Sequence, residues 1–514
     1  MSVRLVPVVI VLACLLGVCA PAVAVVYVDG SASGHIHNGS SWQTAFTSIG
    51  QALSSMPNGG EVWVRAGTYP ERLLLKLYTK IYGGFLGFET STDQRLIGAF
   101  PTIISGGRKG RVIDMPTGSR VTLDGLTIRG GKADRGGGIR CTTNSVANIS
   151  NCRIENCEAT ARAGGVLYDT YAQGRMENCL IAHNKALSGG GVVIEYHSYP
   201  TLQGNVIVRN HATLSGGGVY CPFHSGALLV NCTVAYNHAD LNGGGIYAYY
   251  GGPETFNYCI VAFNTAPAGG GLYADGGRSS VTLSGCDWCG NSVGDLGGWL
   301  TSLPAGGANI TSDPMFLMPD AEDYHLTVGS PCAGIGAFAL SDTYAIDRIG
   351  VAKRLADGAS VRLANKVVGT VDGDTIYLQE PDRSSAIAVH GITGCTQGRI
   401  VTSVAGTLST VAGARVLEAS SFALCASATF SPKPVAVRVS WLSTAAGIYA
   451  RTWGSVDALT PDGFVLRDGQ YWVNVRFTGA RPPVGDVVSI TGTYGIGGAF
   501  IARDLVTITR AAAP

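Results

Sequence analysis

The chain has 514 residues, 72 of them glycine, a net charge of +1 at neutral pH and only 14% charged residues. This length allows two to four domains. A near-neutral chain without a basic stripe or patch does not indicate nucleic acid or an anionic membrane surface as a partner, so we expect neither.

The N-terminus has the pattern of a secretory signal peptide. Arg4 precedes an apolar run from Leu5 to Val18, and the small residues "AVA" follow. This order predicts cleavage after Ala24. An N-terminal membrane anchor is the alternative, for which the run is short. We predict residues 1–24 as a signal peptide and no transmembrane span, which places the mature chain outside the cell or on its surface.

A repeat of 26 or 27 residues occupies the middle of the chain. A glycine run followed by an apolar residue recurs at this interval, and its last glycine is Gly138, Gly165, Gly191, Gly218, Gly245, Gly271 or Gly298. Stretches such as "CTV" and "GIYA", apolar at every second position, predict two or three short strands per repeat. So small a unit has to stack on its neighbours to bury its apolar face. The repeat predicts a parallel β-solenoid.

Cysteine and asparagine recur in the same register. Five cysteines share a position that also holds Leu126 and Val206; they are Cys152, Cys179, Cys232, Cys259 and Cys286. Such a position is interior, which favours buried free thiols over disulfides or a metal site. The second series is Asn156, Asn184, Asn210, Asn237, Asn264 and Asn291. It predicts turn residues with left-handed backbone geometry whose amides hydrogen-bond the next coil.

These repeats resemble the right-handed parallel β-helix of the pectin lyase fold. More narrowly, "GGGI" and "GGGV" with "IAHN" and "VAFN" resemble the paired GGA-aliphatic and FxxN motifs of chlamydial-type polymorphic membrane proteins. "GEVWVRAGTYPE" resembles the first coils of secreted β-helices, in which a short amphipathic helix, here about Trp42–Leu53, closes the open end. "DPMFLMPDAEDYHLTVGSPCAGIGAF" resembles a closing segment found before varied cell-surface anchors. The resemblance implies a β-helix over residues 25–338.

Two similar segments follow the repeat. Residues Val367–Val389 match Thr452–Val475, and both alternate apolar and polar residues between DG, GD or PDG turns. They resemble OB-folds, so we predict two small OB-like β-barrels at residues 339–430 and 431–514. A disulfide between Cys395 and Cys425 is one alternative for the first. Neither copy is basic, which favours glycan or protein over nucleic acid as a ligand, with a structural role left open.

Three acidic residues stand at the same distance after the apolar residue that follows the glycines: Asp169, Glu195 and Asp275. Asp169 and Glu195 are expected on adjacent coils, about 5 Å apart. That spacing suits a shared proton, a calcium ion or a retaining glycosidase pair. The alternative is two solvated surface acids. The sequence has no NTD, GHD or RIK triplet of the polygalacturonase type. We expect no cofactor, with calcium at this pair as the open alternative.

Aromatic residues repeat one position after the same apolar residue. Tyr220, Tyr247 and Tyr273 fall on three consecutive coils, with Tyr249 and Tyr250 nearby. A flat strip of rings would be a platform for sugars or for a protein contact. Ordinary stacking of β-forming residues is the alternative. His211 and His238 also share a register and are interpreted as surface residues of a turn rather than ligands.

The sequence therefore predicts a secreted or cell-surface β-helix protein without catalytic activity. We expect it to bind extracellular polysaccharide or a surface protein, in the manner of an adhesin, through Tyr220, Tyr247, Tyr249 and Tyr273. The alternative is a polysaccharide lyase or glycoside hydrolase that acts at Asp169, Glu195 and Asp275. An oligomeric coat component without a small ligand is a third interpretation.

Overall fold

The computed structural model describes residues 25–97, 100–249, 253–276, 280–327, 329–338, 344–346, 348–381, 383–429, 434–496 and 498–507. The predicted signal peptide and Tyr250 lie outside the described residues. The described helices are α1 (Ile49–Ser55), α2 (Ile349–Ala352) and four 3-10 helices at Trp42–Thr44, Thr92–Gln94, Pro319–Ala321 and Val439–Ala445. None of them is long and apolar enough to cross a membrane.

Four parallel sheets run along the repeat region, and the chain passes through sheets A, B, D and C in turn. Sheet A consists of Val26–Val28, Glu61–Arg65, Lys80–Phe85, Arg120–Asp124, Val146–Ser150, Gln173–Glu177, Thr201–Gln203, Leu228–Val230, Pro253–Asn257 and Ser280–Ser284. Sheet B consists of Gly67–Tyr69, Thr102–Ser105, Leu126–Arg129, Arg153–Glu155, Leu180–Ala182, Val206–Val208, Thr233–Ala235, Ile260–Ala262 and Asp287–Cys289.

Sheets C and D complete each coil. Sheet C consists of Leu73–Leu74, Ile113–Asp114, Ile139–Cys141, Val166–Tyr168, Val192–Ile194, Val219–Cys221, Ile246–Tyr249, Leu272–Asp275 and Leu296–Gly298. The short sheet D consists of Lys132–Arg135, Glu158–Arg162, Lys185–Ala186, His211–Ala212 and His238–Ala239.

The strands of neighbouring coils pair in parallel at the interval of the sequence repeat. Val192, for example, pairs with Val166 on one side and with Val219 on the other. The inward side chains of sheets A, B and C form one continuous apolar core that runs from Val28 to Leu300. A chain that returns to the same sheet once per coil is a parallel β-helix, so the predicted solenoid is confirmed.

Helix α1 closes the N-terminal end of this core, but it is shorter than predicted. We expected one helix over about Trp42–Leu53, whereas α1 begins at Ile49. The Ser48 side chain accepts from the N–H of Gln51, and the Glu71 carboxylate accepts from the N–H groups of Ile49 and Gly50 at 2.9 and 2.7 Å. These acceptors satisfy the first N–H groups of a helix that starts at Ile49.

The glycine run forms the turn from sheet D to sheet C. Its first glycine has left-handed backbone geometry, with φ of 67° at Gly189 and 63° at Gly243. Its last glycine lies against the next coil: a Cβ on Gly218 would be only 2.6 Å from the carbonyl oxygen of Gly245. The first glycine is therefore needed for its left-handed backbone, and the last glycine is needed because two coils approach closely there.

Buried asparagines join the coils beside this turn. Asn210 Nδ2 donates to Asn237 Oδ1 at 3.0 Å and to the carbonyl oxygen of Ile181 at 2.9 Å. The same pattern recurs along the ladder of Asn184, Asn210, Asn237 and Asn264. Each amide thus bonds both neighbouring coils, which satisfies a buried polar group at every turn.

Two details of the asparagine prediction are wrong. The left-handed residue is the one before each ladder asparagine, for example Tyr236, with φ of 55°, before Asn237. Asn156 is itself left-handed, and the ladder position in its coil belongs to Cys157, whose N–H donates to Asn184 Oδ1. A one-residue offset produced both errors, and its sign in the sequence is the interval of 28 residues between Asn156 and Asn184.

The cysteine ladder lies in the interior, and its five thiols are free and buried. Strand register places Asn205, not Val206, at the same position. Cys232 Sγ donates to the carbonyl oxygen of Leu202 at 3.3 Å, and Asn205 Nδ2 donates to the carbonyl oxygen of Met176 at 2.8 Å. Six of the seven coils from Leu126 to Cys286 therefore hold a hydrogen-bond donor at this position, and Leu126 is the apolar exception.

The segment after the last coil covers the outer face of sheet B. It forms the antiparallel strands Phe316–Met318 and Asp323–Leu326. Tyr324 and Leu326 pack in one cluster with Val208 on the outside of sheet B, and Arg209 Nε donates to Tyr324 Oη at 3.1 Å. Sheet B is thereby covered in these coils, whereas sheet C keeps partly exposed aromatic side chains.

Two small closed sheets follow. The first consists of Tyr344–Ile346, Ser360–Asp372, Thr375–Gln379, Ala386–His390, Arg399–Val411 and Ala414–Thr429. The second consists of Val435–Ala436, Tyr449–Thr460, Gly463–Asp468, Tyr471–Arg476, Val487–Tyr494 and Ala499–Thr507. In each, the five long strands take the spatial order 1-2-3-5-4, and strand 4 pairs back with strand 1.

This closure gives each sheet an OB-like barrel topology. The two barrels touch, because Gln379 Oε1 accepts from the N–H of Tyr449 at 3.0 Å and the Thr370 and Thr493 hydroxyl oxygens lie 2.6 Å apart. The first barrel also packs on the β-helix, with Val367 beside Leu96. Cys395 is a free thiol, so the disulfide alternative is wrong.

One carboxyl group lies inside the β-helix core. Glu254, on sheet A, has no exposed surface, and neither of its side-chain oxygens has a hydrogen-bond partner among the described residues. Burial raises its pKa to about 8. A glutamate in an unfolded chain ionises near pH ~4.3. Between these two values the folded chain therefore holds a proton that the unfolded chain releases.

The substitution Glu254→Gln is predicted to remove a pH dependence of stability. As the pH rises from about 4.3 to about 8, the wild type loses about 1.4 kcal/mol of unfolding free energy per pH unit from this group. Glutamine cannot ionise, so the unfolding free energy of the variant rises relative to that of the wild type across this interval. Above the interval the difference between the two free energies stays constant. Denaturant-induced unfolding across the pH range measures the effect.

Glu177→Gln, at a partly exposed position of the same sheet, is the matched control and should leave the slope unchanged. Curves of unfolding free energy against pH that run parallel for the wild type and Glu254→Gln would contradict the prediction.

Candidate functional site

The outward side chains of sheet C form a row along the axis of the β-helix. Strand register places Leu167, Val193, Tyr220, Tyr247 and Tyr273 over one another on successive coils. Leu167 and Val193 are fully buried, and Tyr220 packs against them. The row thus changes from a covered aliphatic part to an aromatic part.

The three tyrosines of this row stack on one another. The ring centroid of Tyr247 lies 5.2 Å from that of Tyr220 and 5.6 Å from that of Tyr273, with interplanar angles of 23° and 3°. Tyr247 is therefore only 8% exposed, and its hydroxyl donates to Asp275 Oδ2 at 2.8 Å. Burial and this carboxylate raise the pKa of Tyr247. The rings cover each other's faces, unlike the flat platform that the sequence suggested.

Further rings extend the tyrosine row sideways. Tyr196 and Phe223 stack with centroids 5.1 Å apart and planes at 8°. Phe223 meets Tyr249 edge-on at 6.0 Å, and Tyr249 lies 6.3 Å from Tyr247. Tyr196 is 38% exposed. We call this connected set of rings the aromatic face; its members are Tyr196, Tyr220, Phe223, Tyr247, Tyr249 and Tyr273.

The two carboxylates predicted as a pair do lie on adjacent coils. The N–H of Glu195 donates to the carbonyl oxygen of Tyr168, the residue before Asp169, at 3.0 Å. Glu195 has no exposed surface. Its Oε2 lies 2.8 Å from Arg162 Nη1, and its Oε1 contacts Arg135. Arg135 Nη2 also lies 3.5 Å from Asp169 Oδ1. Each carboxylate is therefore bound to arginine.

This arrangement changes what the pair can do. Two arginines and two carboxylates balance in charge, so the acids need neither a shared proton nor a calcium ion to offset their repulsion. Because Glu195 is fully buried, its carboxylate is closed to a large substrate. Asp169 accepts further hydrogen bonds from the Thr170 N–H and hydroxyl at 2.9 and 3.1 Å. The cluster holds sheet D onto sheet C.

The arginine cluster also adjoins the aromatic face. The guanidinium carbon of Arg162 lies 5.3 Å from the centre of the Phe223 ring, within the range of a cation–π contact. Arg135 and Arg162 are paired in register at the ends of their sheet D strands. On one side of the coils, the ion-paired arginines therefore lie next to the aromatic rings.

The sequence contains signals for the residues that were missed. Arg135 and Arg162 are separated by one repeat, as are Tyr196 and Phe223. Tyr196 and Phe223 both have left-handed backbone geometry in the turn after sheet C, with φ of 50° and 58°. The repeat interval, applied to every arginine and aromatic residue rather than to the strands alone, would have found all four.

Comparison with known proteins agrees with this architecture. A family model described as "Right handed beta helix region" matches residues 102–234 and residues 137–311. The match, the parallel coils and their continuous core all support a right-handed parallel β-helix, a fold consistent with pectin-lyase-like proteins. A search of curated proteins finds no significant match.

Removal of one arginine from the cluster is predicted to destabilise the β-helix. Arg162→Gln leaves the fully buried Glu195 carboxylate with Arg135 alone, and breaking a buried ion pair on one side costs about 3 kcal/mol. Denaturant-induced unfolding measures the loss. Arg175→Gln, which removes a partly exposed arginine–glutamate pair with Glu177, is the matched control and should cost less than about 1 kcal/mol. Equal losses for the two variants would contradict the account.

Proposed function

We propose that this protein is an extracellular or cell-surface β-helix protein that binds polysaccharide at the aromatic face without acting on it chemically. One observation carries the proposal. Six connected rings lie on consecutive coils of an outer face, while the neighbouring carboxylates Asp169 and Glu195 are already ion-paired with arginine. The location outside the cell rests on the signal-peptide pattern of residues 1–24.

The arrangement of the rings favours a polymer that lies along the axis. Tyr220 and Tyr273 flank the covered Tyr247 and are the partly exposed members of the row. Because coils repeat every ~4.8 Å, an extended chain meets an equivalent position at each coil. Tyrosine offers an apolar ring and a hydroxyl donor together, which suits a ligand with both CH and OH groups. The balanced charges beside the rings favour neutral sugars over strongly acidic ones.

The two barrels are proposed as attachment or further recognition modules. Each has exposed aromatic side chains on its strands, such as Phe422 in the first and Trp472 in the second, which are 40% and 60% exposed. Contacts between the barrels and with the β-helix hold these modules against the solenoid.

The alternative function is a polysaccharide lyase or glycoside hydrolase with Asp169, Glu195 and Asp275 as its carboxylates. A retaining glycosidase needs two carboxyl groups that both reach the sugar. The burial of Glu195 and the Tyr247 hydrogen bond to Asp275 argue against that role. Calcium binding at Asp169 and Glu195 is disfavoured by the arginines that occupy their oxygens.

The double variant Tyr196→Ala/Tyr249→Ala is predicted to weaken polysaccharide binding at least tenfold, because truncation of aromatic contact residues costs about 2 kcal/mol or more. The measurement is binding of the full chain to an array of pectins, alginates, glycosaminoglycans and neutral glycans, followed by titration of the best ligand. Tyr78→Ala, at a 59% exposed tyrosine outside the aromatic face, is the control and should bind as the wild type does.

Two results would overturn the proposal. One concerns binding: unchanged affinity in the double variant would place the polysaccharide site elsewhere on the chain, and no binding to any polysaccharide would leave a protein surface as the partner. The other is release of reducing sugar or unsaturated product from the same panel, with or without calcium, which would favour the enzyme.

A further inference from the structure

Two histidines and an aspartate meet on the outer surface of sheet D. His211 and His238 pair in register, with ring centroids 5.0 Å apart. The Nε2 atoms of His211 and His238 lie 3.0 and 2.9 Å from the same oxygen, Asp240 Oδ1. The three ligand atoms are all within 4.8 Å of one another, and they are the one such group found in the described residues.

The donor set and its geometry suit a transition metal ion. Imidazole nitrogens with a carboxylate oxygen are ligands of Zn²⁺ and its neighbours, at bond lengths of about 2.1 Å. Ligand atoms around a tetrahedral ion with such bonds are about 3.4 Å apart. The two observed nitrogen–oxygen distances are a few tenths of an ångström shorter, and all three side chains are partly exposed, so small movements open the space.

The surroundings of the cluster orient its ligands. His238 Nδ1 lies 2.7 Å from Thr265 Oγ1, which leaves Nε2 to face Asp240, as second-shell partners do at metal sites. Beneath the cluster, the buried residues Ala212 and Ala239 fix the backbone of both strands.

We propose that His211, His238 and Asp240 bind one divalent transition metal ion of the Zn²⁺ class, with the remaining coordination position or positions open to water. Because the ligands come from two coils, the ion links adjacent turns of the solenoid. This site is separate from the aromatic face, so the proposal stands independently of polysaccharide binding. It differs from the sequence-based interpretation of His211 and His238 as surface residues of a turn.

The test is titration of the metal-free, untagged full-length chain with Zn²⁺ by calorimetry, and with Co²⁺ by visible absorption. The expected result is one ion per chain with a tetrahedral Co²⁺ spectrum. His238→Gln and Asp240→Asn should each weaken binding at least tenfold. A Zn²⁺ concentration that saturates the wild type should raise its unfolding temperature, and should raise that of either variant by less. Because both positions are on the surface, circular dichroism without metal should match the wild type.

His197→Asn is the matched control, because His197 and His224 also stack, with centroids 5.6 Å apart and planes at 5°. It should bind Zn²⁺ with wild-type affinity. The proposal is overturned by a wild type that binds neither ion, by unchanged affinity in His238→Gln and Asp240→Asn, or by loss of binding in His197→Asn.

Discussion

The close approach of successive coils at the glycine turn is the constraint on which the structure depends. At Gly218 the next coil lies so near that a single Cβ would collide with a backbone carbonyl oxygen. The chain therefore has to repeat its path in every coil, and the buried asparagine amides hydrogen-bond coil to coil beside the turn. Because every coil follows the same path, residues of one type that recur at the repeat interval lie directly over one another on successive coils.

The same constraint organises the outer surface. Stacked tyrosines on sheet C, paired arginines at the edge of sheet D and paired histidines on its outside are ladders of the same origin. Their chemistry differs because their neighbours differ. Arg135 and Arg162 pair with a buried glutamate and stabilise the fold. The histidines lie beside an exposed aspartate, and the three side chains form the proposed metal site. The closing segment covers sheet B and thereby leaves sheet C as the aromatic surface.

The coils and the interior were predictable, because glycine spacing and alternating apolar residues report directly on period and strand direction. The exact members of each ladder were not, since intervals of 26 and 27 leave an offset of one residue open, as Val206 shows. Partners from distant coils were also beyond reach: Glu195 and Arg135 are sixty positions apart. The tyrosine row was found, but the direction in which its rings face depends on side-chain rotamers.

The most direct test of this account is the unfolding free energy of Gly218→Ala, a position without left-handed geometry where only the close approach of the next coil forbids a side chain. Gly34→Ala is the comparison, because a Cβ there would make ordinary contacts at 3.6 Å or more. The account predicts a loss of about 1–3 kcal/mol or more for Gly218→Ala and little change for Gly34→Ala. Equal stability of Gly218→Ala and the wild type would contradict it.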